Sequence, residues 1–366
     1  MLLISIFLAL FIVWTIINLT FLPKLNGKHP LVKQPLISVL VPMRNEANNV
    51  KNCIHMLKNL SYKNLEIIIY EDQSTDQTFT LLQQAIGQDT RFKIIPGVPL
   101  KKGWIGKVHA CDQLRQYAKG DYLCFVDADV TLHPDVLSYS LERAIHDQAS
   151  LITGFPKFSY TNWLDRLVIP MMHFIVYFHL PIALANFTKI PATSAANGTF
   201  LFFKTDSYDQ IGGHKAVKHS LVEDVQIAQT MKKKGHRVLL VNVTDYVTCR
   251  MYEKSKETWE GFSKNIFVGI GQSIPLALAL TAFYTFFYVM PLLYLLYGIV
   301  VWDPLFMVPY ALTVVHRAIC DKTSKTPWYY SFSIPVSSLM LLAILWRSVY
   351  LSGNGKAYTW KGRSYE

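Results

Sequence analysis

Short apolar runs alternate with amphipathic stretches from Pro35 to about Gly154, and no other feature limits the fold as much. Residues 36–41, 65–70, 92–95 and 122–126 read as buried strands, with 46–60, 76–86 and 106–118 as helices between or after them. Repeated strand–helix units of this length predict an α/β domain with a mostly parallel sheet and helices on both faces. Sheets of that kind bind ligands beyond the carboxyl ends of their strands, so chemistry is expected in the polar residues that follow each strand. Further on, 200–203 and 237–243 read as strands, and 223–234 and 257–270 as helices.

The first strand runs into Pro42-Met43-Arg44-Asn45-Glu46 and the second into Glu71-Asp72-Gln73-Ser74-Thr75-Asp76. Glu46 and Asp72 can accept hydrogen bonds from a uracil ring or ribose hydroxyls, and Arg44 can balance phosphate charge. Ser74-Thr75-Asp76 also reads as an ordinary helix cap. Gly103-Trp104-Ile105-Gly106-Lys107 carries Val108 where a P-loop needs Ser or Thr, so that motif fails. A lysine at a helix start can still meet a diphosphate, against the plainer reading of Lys107 as a solvated turn residue.

Asp127-Ala128-Asp129 follows the fourth strand. Two carboxylates one residue apart can grip a divalent cation, Mg²⁺ or Mn²⁺, that also binds a donor diphosphate and offsets charge on the leaving group. Residues 127–131 also fit the D-x-D-x-T motif of haloacid-dehalogenase-type phosphatases, with Asp127 as nucleophile. Those enzymes carry the motif on their first strand, whereas here two nucleotide-type strand ends precede it. Glu223-Asp224 opens a helix; it serves either as a dipole-complementing first turn or as a general base for an acceptor hydroxyl. His214 reads as a loop histidine, with contact to donor or metal as the alternative. Trp259, Lys264, Trp360, Lys361 and Arg363 are expected either to close over the donor or to anchor the chain at a membrane surface.

Outside this domain the chain changes character. Residues 1–22 are apolar without a charge and Pro23 ends them, which predicts an uncleaved anchor over 1–23. Hydrophobic residues make up 51% of the chain and mean hydropathy is +0.22, too apolar for a plain soluble enzyme. The net charge of +11 fits an anionic membrane face, and no zinc-finger spacing or RNP-like motif supports nucleic acid. The five scattered cysteines have no C-x-x-C spacing and read as reduced thiols in a cytosolic domain. Residues 164–188 are apolar but broken by charges and prolines, which predicts a membrane-associated, acceptor-lining helix. Apolar runs at 274–301, 305–319 and 331–346 place a membrane region over 273–351, followed by a basic tail over 352–366. Lys24 and Lys28, Lys322 and Lys325, and Lys356, Lys361 and Arg363 all ask to be on the inner side. Three late crossings would leave the tail outside, so one late segment is expected to be re-entrant or interfacial.

These motifs together resemble the family 2 inverting glycosyltransferases of GT-A type. The resemblance implies a GT-A domain over 35–272. It places Pro42, Arg44, Asn45, Glu46, Asp72 and Asp127 at the nucleotide, Asp129 at the metal, and Asp224, with Glu223, as base. A narrower resemblance is to bacterial membrane enzymes that include carotenoid-acid (4,4'-diaponeurosporenoate) and hopanoid-associated glycosyltransferases. It is carried by Gly103 to Cys111, Gly212-Gly213-His214-Lys215, Arg250-Met251-Tyr252 and Trp360-Lys361-Gly362-Arg363-Ser364-Tyr365. It implies transfer of glucose from a UDP-sugar to a lipid-like acceptor by a multi-pass protein of the cell membrane with a cytoplasmic catalytic domain. The Q-x-x-R-W motif of processive synthases is absent, and Trp259-Glu260-Gly261-Phe262-Ser263-Lys264-Asn265 stands in its place, which favours single-sugar transfer. A carboxylic acid acceptor is already ionised at neutral pH, so an intact Glu223-Asp224 leans towards a hydroxyl acceptor. A phosphatase using Asp127 and a non-catalytic membrane protein that binds nucleotide sugar are the alternatives.

Overall fold

The structure, a computed structural model, describes residues 1–27, 33–353, 358–360 and 363–365; of the last six, only the Arg363 side chain is described. Lys28, Lys356, Lys361 and the Trp360 side chain lie outside the described parts.

The chain begins with α1 (Leu2–Thr20), β1 (Ile37–Met43), α2 (Ala47–Lys58), β2 (Leu65–Glu71), α3 (Thr78–Ile86), β3 (Phe92–Pro96), α4 (Gly106–Tyr117), β4 (Tyr122–Val126) and β5 (Val130–Leu132). It continues through α5 (Val136–His146), β6 (Leu151–Thr153), β7 (Lys157–Phe158), α6 (Trp163–His179), α7 (Ile182–Phe187), β8 (Phe200–Lys204) and α8 (Thr205–Gln210). Next come α9 (Glu223–Lys233), β9 (Val238–Leu240), β10 (Val247–Cys249) and α10 (Ser255–Gly269). The last part holds α11 (Ile274–Tyr284), α12 (Met290–Val301), α13 (Val308–Thr323), α14 (Ile334–Gly353), β11 (Tyr358–Trp360) and β12 (Arg363–Tyr365).

Seven strands form the central sheet in the order β3-β2-β1-β4-β8-β6-β9. β3, β2, β1 and β4 are parallel, with Val39 opposite both Ile67 and Cys124. β8 runs antiparallel between β4 and β6. Side chains alternate between two cores, as a pleated strand requires. Val39 and Val41 pack with Ile67 and Ile69 against Val50, Ile54 and Leu57 of α2. Leu40, Ile68 and Tyr70 face Val108, Cys111 and Leu114 of α4. Both faces are covered, so these strands read as unbroken apolar runs. A three-stranded sheet, β5-β10-β7, was not legible in the sequence because its strands have only two or three residues.

The stretch expected as one membrane-associated helix over 164–188 is two helices, α6 and α7. Its charges are explained by packing: Asp165 is fully buried, accepts hydrogen bonds from Thr161 Oγ1 (2.9 Å) and Thr258 Oγ1 (2.6 Å), and so pins α6 to α10. Asn162 caps α6 through the backbone N–H groups of Leu164 and Asp165. Three helical stretches are long and apolar enough to cross a membrane: Leu2–Thr20, Ile274–Val301 and Trp328–Gly353. The second is α11 and α12 joined through a π-helical turn at Thr285–Val289. The run at 305–319 becomes a 3₁₀ turn, Pro304–Met307, followed by α13. Residues 358–360 and 363–365, read from sequence as part of a tail, pair as two short antiparallel strands.

Candidate active site

The carboxyl ends of β1, β2 and β4 meet at one edge of the domain. Arg44 does not reach outward; its Nη1 donates to the carbonyls of Asp72 (2.6 Å) and Gln73 (2.7 Å), tying the loop after β1 to the loop after β2. Asn45 strengthens the same tie. Its N–H donates to Ser74 Oγ and its Oδ1 accepts from the Thr75 N–H at 2.8 Å. Asn45 and Gln73 both have positive φ, 52° and 54°, so the two loops are tightly turned. Asp76 accepts from the N–H groups of Ala47 and Thr78, which clamps the loop after β2 to the starts of α2 and α3; the N-cap position of α3 itself is Gln77, without a side-chain cap. Glu46 holds Asn49 Nδ2 at 2.7 Å, and its backbone N–H donates to Thr78 Oγ1. Arg363 forms a two-pronged ion pair with Asp72, with Nη2 3.0 Å from Oδ1. Asp72 is buried, and that burial outweighs Arg363 and raises its pKa above the usual carboxylate value.

Lys107, at the start of α4, points into the carboxylates. Its Nζ lies 2.7 Å from Asp127 Oδ1 and 3.6 Å from Glu223 Oε1. Burial alone would lower the Lys107 pKa, but Asp127 and Glu223 outweigh it and hold the ammonium charged. Asp224 is gripped by two backbone N–H groups, Gly198 to Oδ2 and Val225 to Oδ1, each at 2.8 Å. Burial and the neighbouring Glu223 push its carboxyl up to about 7. Gly198 was not singled out from the sequence, although Asn197-Gly198 is a turn signal. A Cβ placed on it would lie 3.1 Å from Lys107 Nζ and 3.4 Å from Glu223 Oε1, so the missing side chain lets these groups converge.

A cleft of about 1120 Å³ opens from this edge. It is lined by Asn45, Glu46 and Asp129, by Trp259 and Lys264 of α10, and by Arg347, Ser348, Leu351 and Ser352 of α14. Burial lowers the Lys264 amine to about 8, against the opposing charge of Glu223. His214 is not brought to this cleft. It is buried, its Nδ1 lies 2.7 Å from the Tyr208 hydroxyl, its ring lies 4.7 Å from that of Phe125, and burial depresses its pKa to about 3. It packs the underside of the site. Among the described residues, no group of three or more His, Cys, Asp or Glu side chains is placed to hold a metal.

Residues 38–212 match the family described as Glycosyl transferase family 2. The chain carries a family 2 glycosyltransferase domain. The match supports a glycosyltransferase, and neither the phosphatase nor the non-catalytic alternative gains support. Among curated relatives, a 4,4'-diaponeurosporenoate glycosyltransferase of Staphylococcus haemolyticus is 25% identical over 254 residues, spanning 65% of this chain. The match covers 63% of that relative's length. A protein of the same description from Staphylococcus aureus (strain MRSA252) is 22% identical over 276 residues, covering 71% of this chain and 70% of the relative. Among solved structures, a mannosyltransferase from Pyrobaculum calidifontis in complex with GDP-Man and Mn²⁺ superposes with a TM-score of 0.55 at 14% identity. That likeness covers 94% of this chain and 98% of the other, and it shows that this glycosyltransferase shares a GT-A-like fold.

Proposed function

We propose that this glycosyltransferase moves one sugar, glucose, from a UDP-sugar to a lipid-like acceptor, with inversion, at the cytoplasmic face of the cell membrane. The observation that carries the reading is the continuity of the cleft. Its lining takes in both Asp129 and residues of α14, a helix apolar enough to cross a membrane. An acceptor with an apolar tail would then reach the catalytic carboxylates without leaving the membrane surface. The Staphylococcus relatives, named for a carotenoid acid, support a long apolar acceptor.

Asp72, Glu46 and the loop pinned by Arg44 and Asn45 seat the nucleotide, and Lys107 faces the diphosphate as a fixed charge. Asp127 and Asp129 are hard oxygen donors at a strand end, which suits Mg²⁺ or Mn²⁺, and the Mn²⁺ in the Pyrobaculum fold relative supports that choice. When bound, the cation would neutralise charge on the diphosphate. Asp224, oriented by the Gly198 and Val225 N–H groups, takes the proton from an acceptor hydroxyl as its oxygen joins the anomeric carbon and the bond to the diphosphate breaks. Glu223 raises the proton affinity of Asp224 to the range a base at neutral pH needs.

The test is nucleotide release and sugar transfer by detergent-purified protein. The assay offers UDP-sugars and GDP-mannose, a membrane-lipid extract, and Mg²⁺, Mn²⁺ or EDTA. We expect UDP release that depends on the metal and is abolished in Asp129→Ala. Release from GDP-mannose alone would overturn the uridine reading, and full activity in EDTA would overturn the metal.

A further inference from the structure

Sequence placed the inner-side charges on both sides of the last apolar segment, and the fold resolves that conflict. α1 and the Ile274–Val301 helix run antiparallel: Phe7 meets Phe287, and Phe11 meets both Phe283 and Phe287. α1 ends at the catalytic domain, where Leu25 N–H donates to Asn242 O and Lys24 bridges Asn242. The Ile274–Val301 helix leaves from that side and ends at Trp302, which is 91% exposed. α13 then returns. Its His316 lies 2.8 Å from Thr15 Oγ1 of α1, and the Thr323 carbonyl at its end accepts from Asn242 Nδ2 at 3.1 Å. The next residues stay on the catalytic domain, since Lys325 pairs with Asp245 and Thr326 Oγ1 lies 2.8 Å from the Tyr160 hydroxyl.

From there the chain runs back along α13 as far as its first turn. The Phe332 carbonyl accepts from Tyr310 in the first turn of α13, and α14 then climbs along α10 and α6. Ile344 packs with Leu164 and Val168, and Met340 adjoins the same cluster with Trp259, Phe262 and Ile266. The far end of α14 is again on the catalytic side: Ser348 Oγ accepts from the Phe267 N–H, and Gln272 Nε2 donates to Ser352 Oγ at 3.1 Å. Both ends of the segment 324–353 therefore sit on one face. Aromatic rings are exposed near its two ends, Trp328 at 65%, Tyr329 at 56% and Tyr350 at 58%, while the aliphatic Val336 and Leu339 are exposed between them. Such rings favour the headgroup boundary of a bilayer over its centre.

We propose that the segment 324–353 enters the bilayer and returns to the face it left without crossing, although α14 is long enough to cross. The chain then crosses three times, through α1, the Ile274–Val301 helix and α13 with its preceding turn. The turn at 302–307, which carries Asp303 and no lysine or arginine, faces the opposite side from the catalytic domain. Lys322, Lys325, Arg347 and Arg363 all lie on the catalytic side, as the distribution of positive charge demands.

The proposal rests on the membrane reading, and one experiment separates the two. All five native cysteines are buried, so single introduced thiols stand out against a quiet background. Gln272→Cys, Trp302→Cys, Lys325→Cys, Ser352→Cys and Gly353→Cys would each be exposed to a membrane-impermeant maleimide, in sealed inside-out and right-side-out vesicles carrying the full-length protein. We expect the thiols at 272, 325, 352 and 353 to label from one side and the thiol at 302 from the other. If the thiols at 352 and 353 label with the one at 302, α14 crosses and the proposal falls while the membrane reading stands. If the thiols at 272 and 302 label from the same side, the membrane reading falls with it.

Discussion

Asp224 is held by opposing forces that together set its chemistry. Burial and Glu223 raise its proton affinity, while the Gly198 and Val225 N–H groups favour the ionised form; the net result is a carboxyl near 7. A base works only when deprotonated, so activity on a hydroxyl acceptor should fall as pH drops through about 7 and level off above it. Asp224→Asn should lower kcat by about 10²- to 10⁴-fold, the ordinary contribution of a positioned base, and remove that acid limb. The check is a pH profile of kcat/KM for both proteins. An unchanged acid limb in the variant would assign the titration elsewhere. An acceptor that is itself a carboxylate should show little dependence on Asp224, because its oxygen is already ionised.

At the scale of single elements, α13 carries an ion pair inside the helical bundle. Arg317 and Asp321 are 0% exposed, one helical turn apart, with Nε 2.8 Å from Oδ1, and Arg317 Nη1 also reaches Met171 Sδ of α6. Removing one member of a buried pair leaves an uncompensated charge and costs about 3–5 kcal/mol, whereas replacing both with apolar residues of similar size is often tolerated. Arg317→Met should therefore lower the thermal midpoint in detergent markedly, and Arg317→Met combined with Asp321→Leu should recover much of the loss. A double variant no more stable than the single one would assign another role to the pair. Its charges also explain why α13 was read from sequence as only a short apolar run, 305–319. The apolar pattern breaks where the helix pairs with itself and not where it ends.

Across the whole molecule, Arg363 joins the segment after the last helix to Asp72 of the proposed nucleotide site. Only a few residues separate the end of α14 at Gly353 from β11, and β12 brings the guanidinium to Asp72, 291 residues away in sequence. A two-pronged Arg–carboxylate pair fixes orientation as well as charge. Arg363→Ala should raise the KM for the donor several-fold and change kcat less, since Asp72 loses the partner that orients it. Steady-state kinetics with varied donor decides the point: an unchanged KM would make the pair a packing contact only. The same cleft is lined by Asn45, Glu46 and Asp129 of the candidate site and by Arg347 and Ser352 of α14.

The sequence by itself determined the parallel half of the sheet, because strands buried on both faces are unbroken apolar runs separated by helix-length intervals. β1, β2, β3 and β4 fall where those runs lie. It also determined which polar residues stand at strand ends, and hence that Asp72 and Asp127 lie along one edge, because in a parallel sheet all those ends point the same way. Only the tertiary structure decided the rest. Arg44 was read as a phosphate residue, and the tertiary structure adds that its Nη1 braces two loop carbonyls, a contact set by loop curvature at Asn45 and Gln73. His214 turned inward beneath the sheet, and Gly198 emerged beside Asp224, because neither placement leaves a periodic trace. Asp165 looked like a break in an apolar helix until Thr161 and Thr258 supplied its partners. Periodicity reports which face of an element is buried; it does not report what lies across from that face, and at this site the partners come from far along the chain.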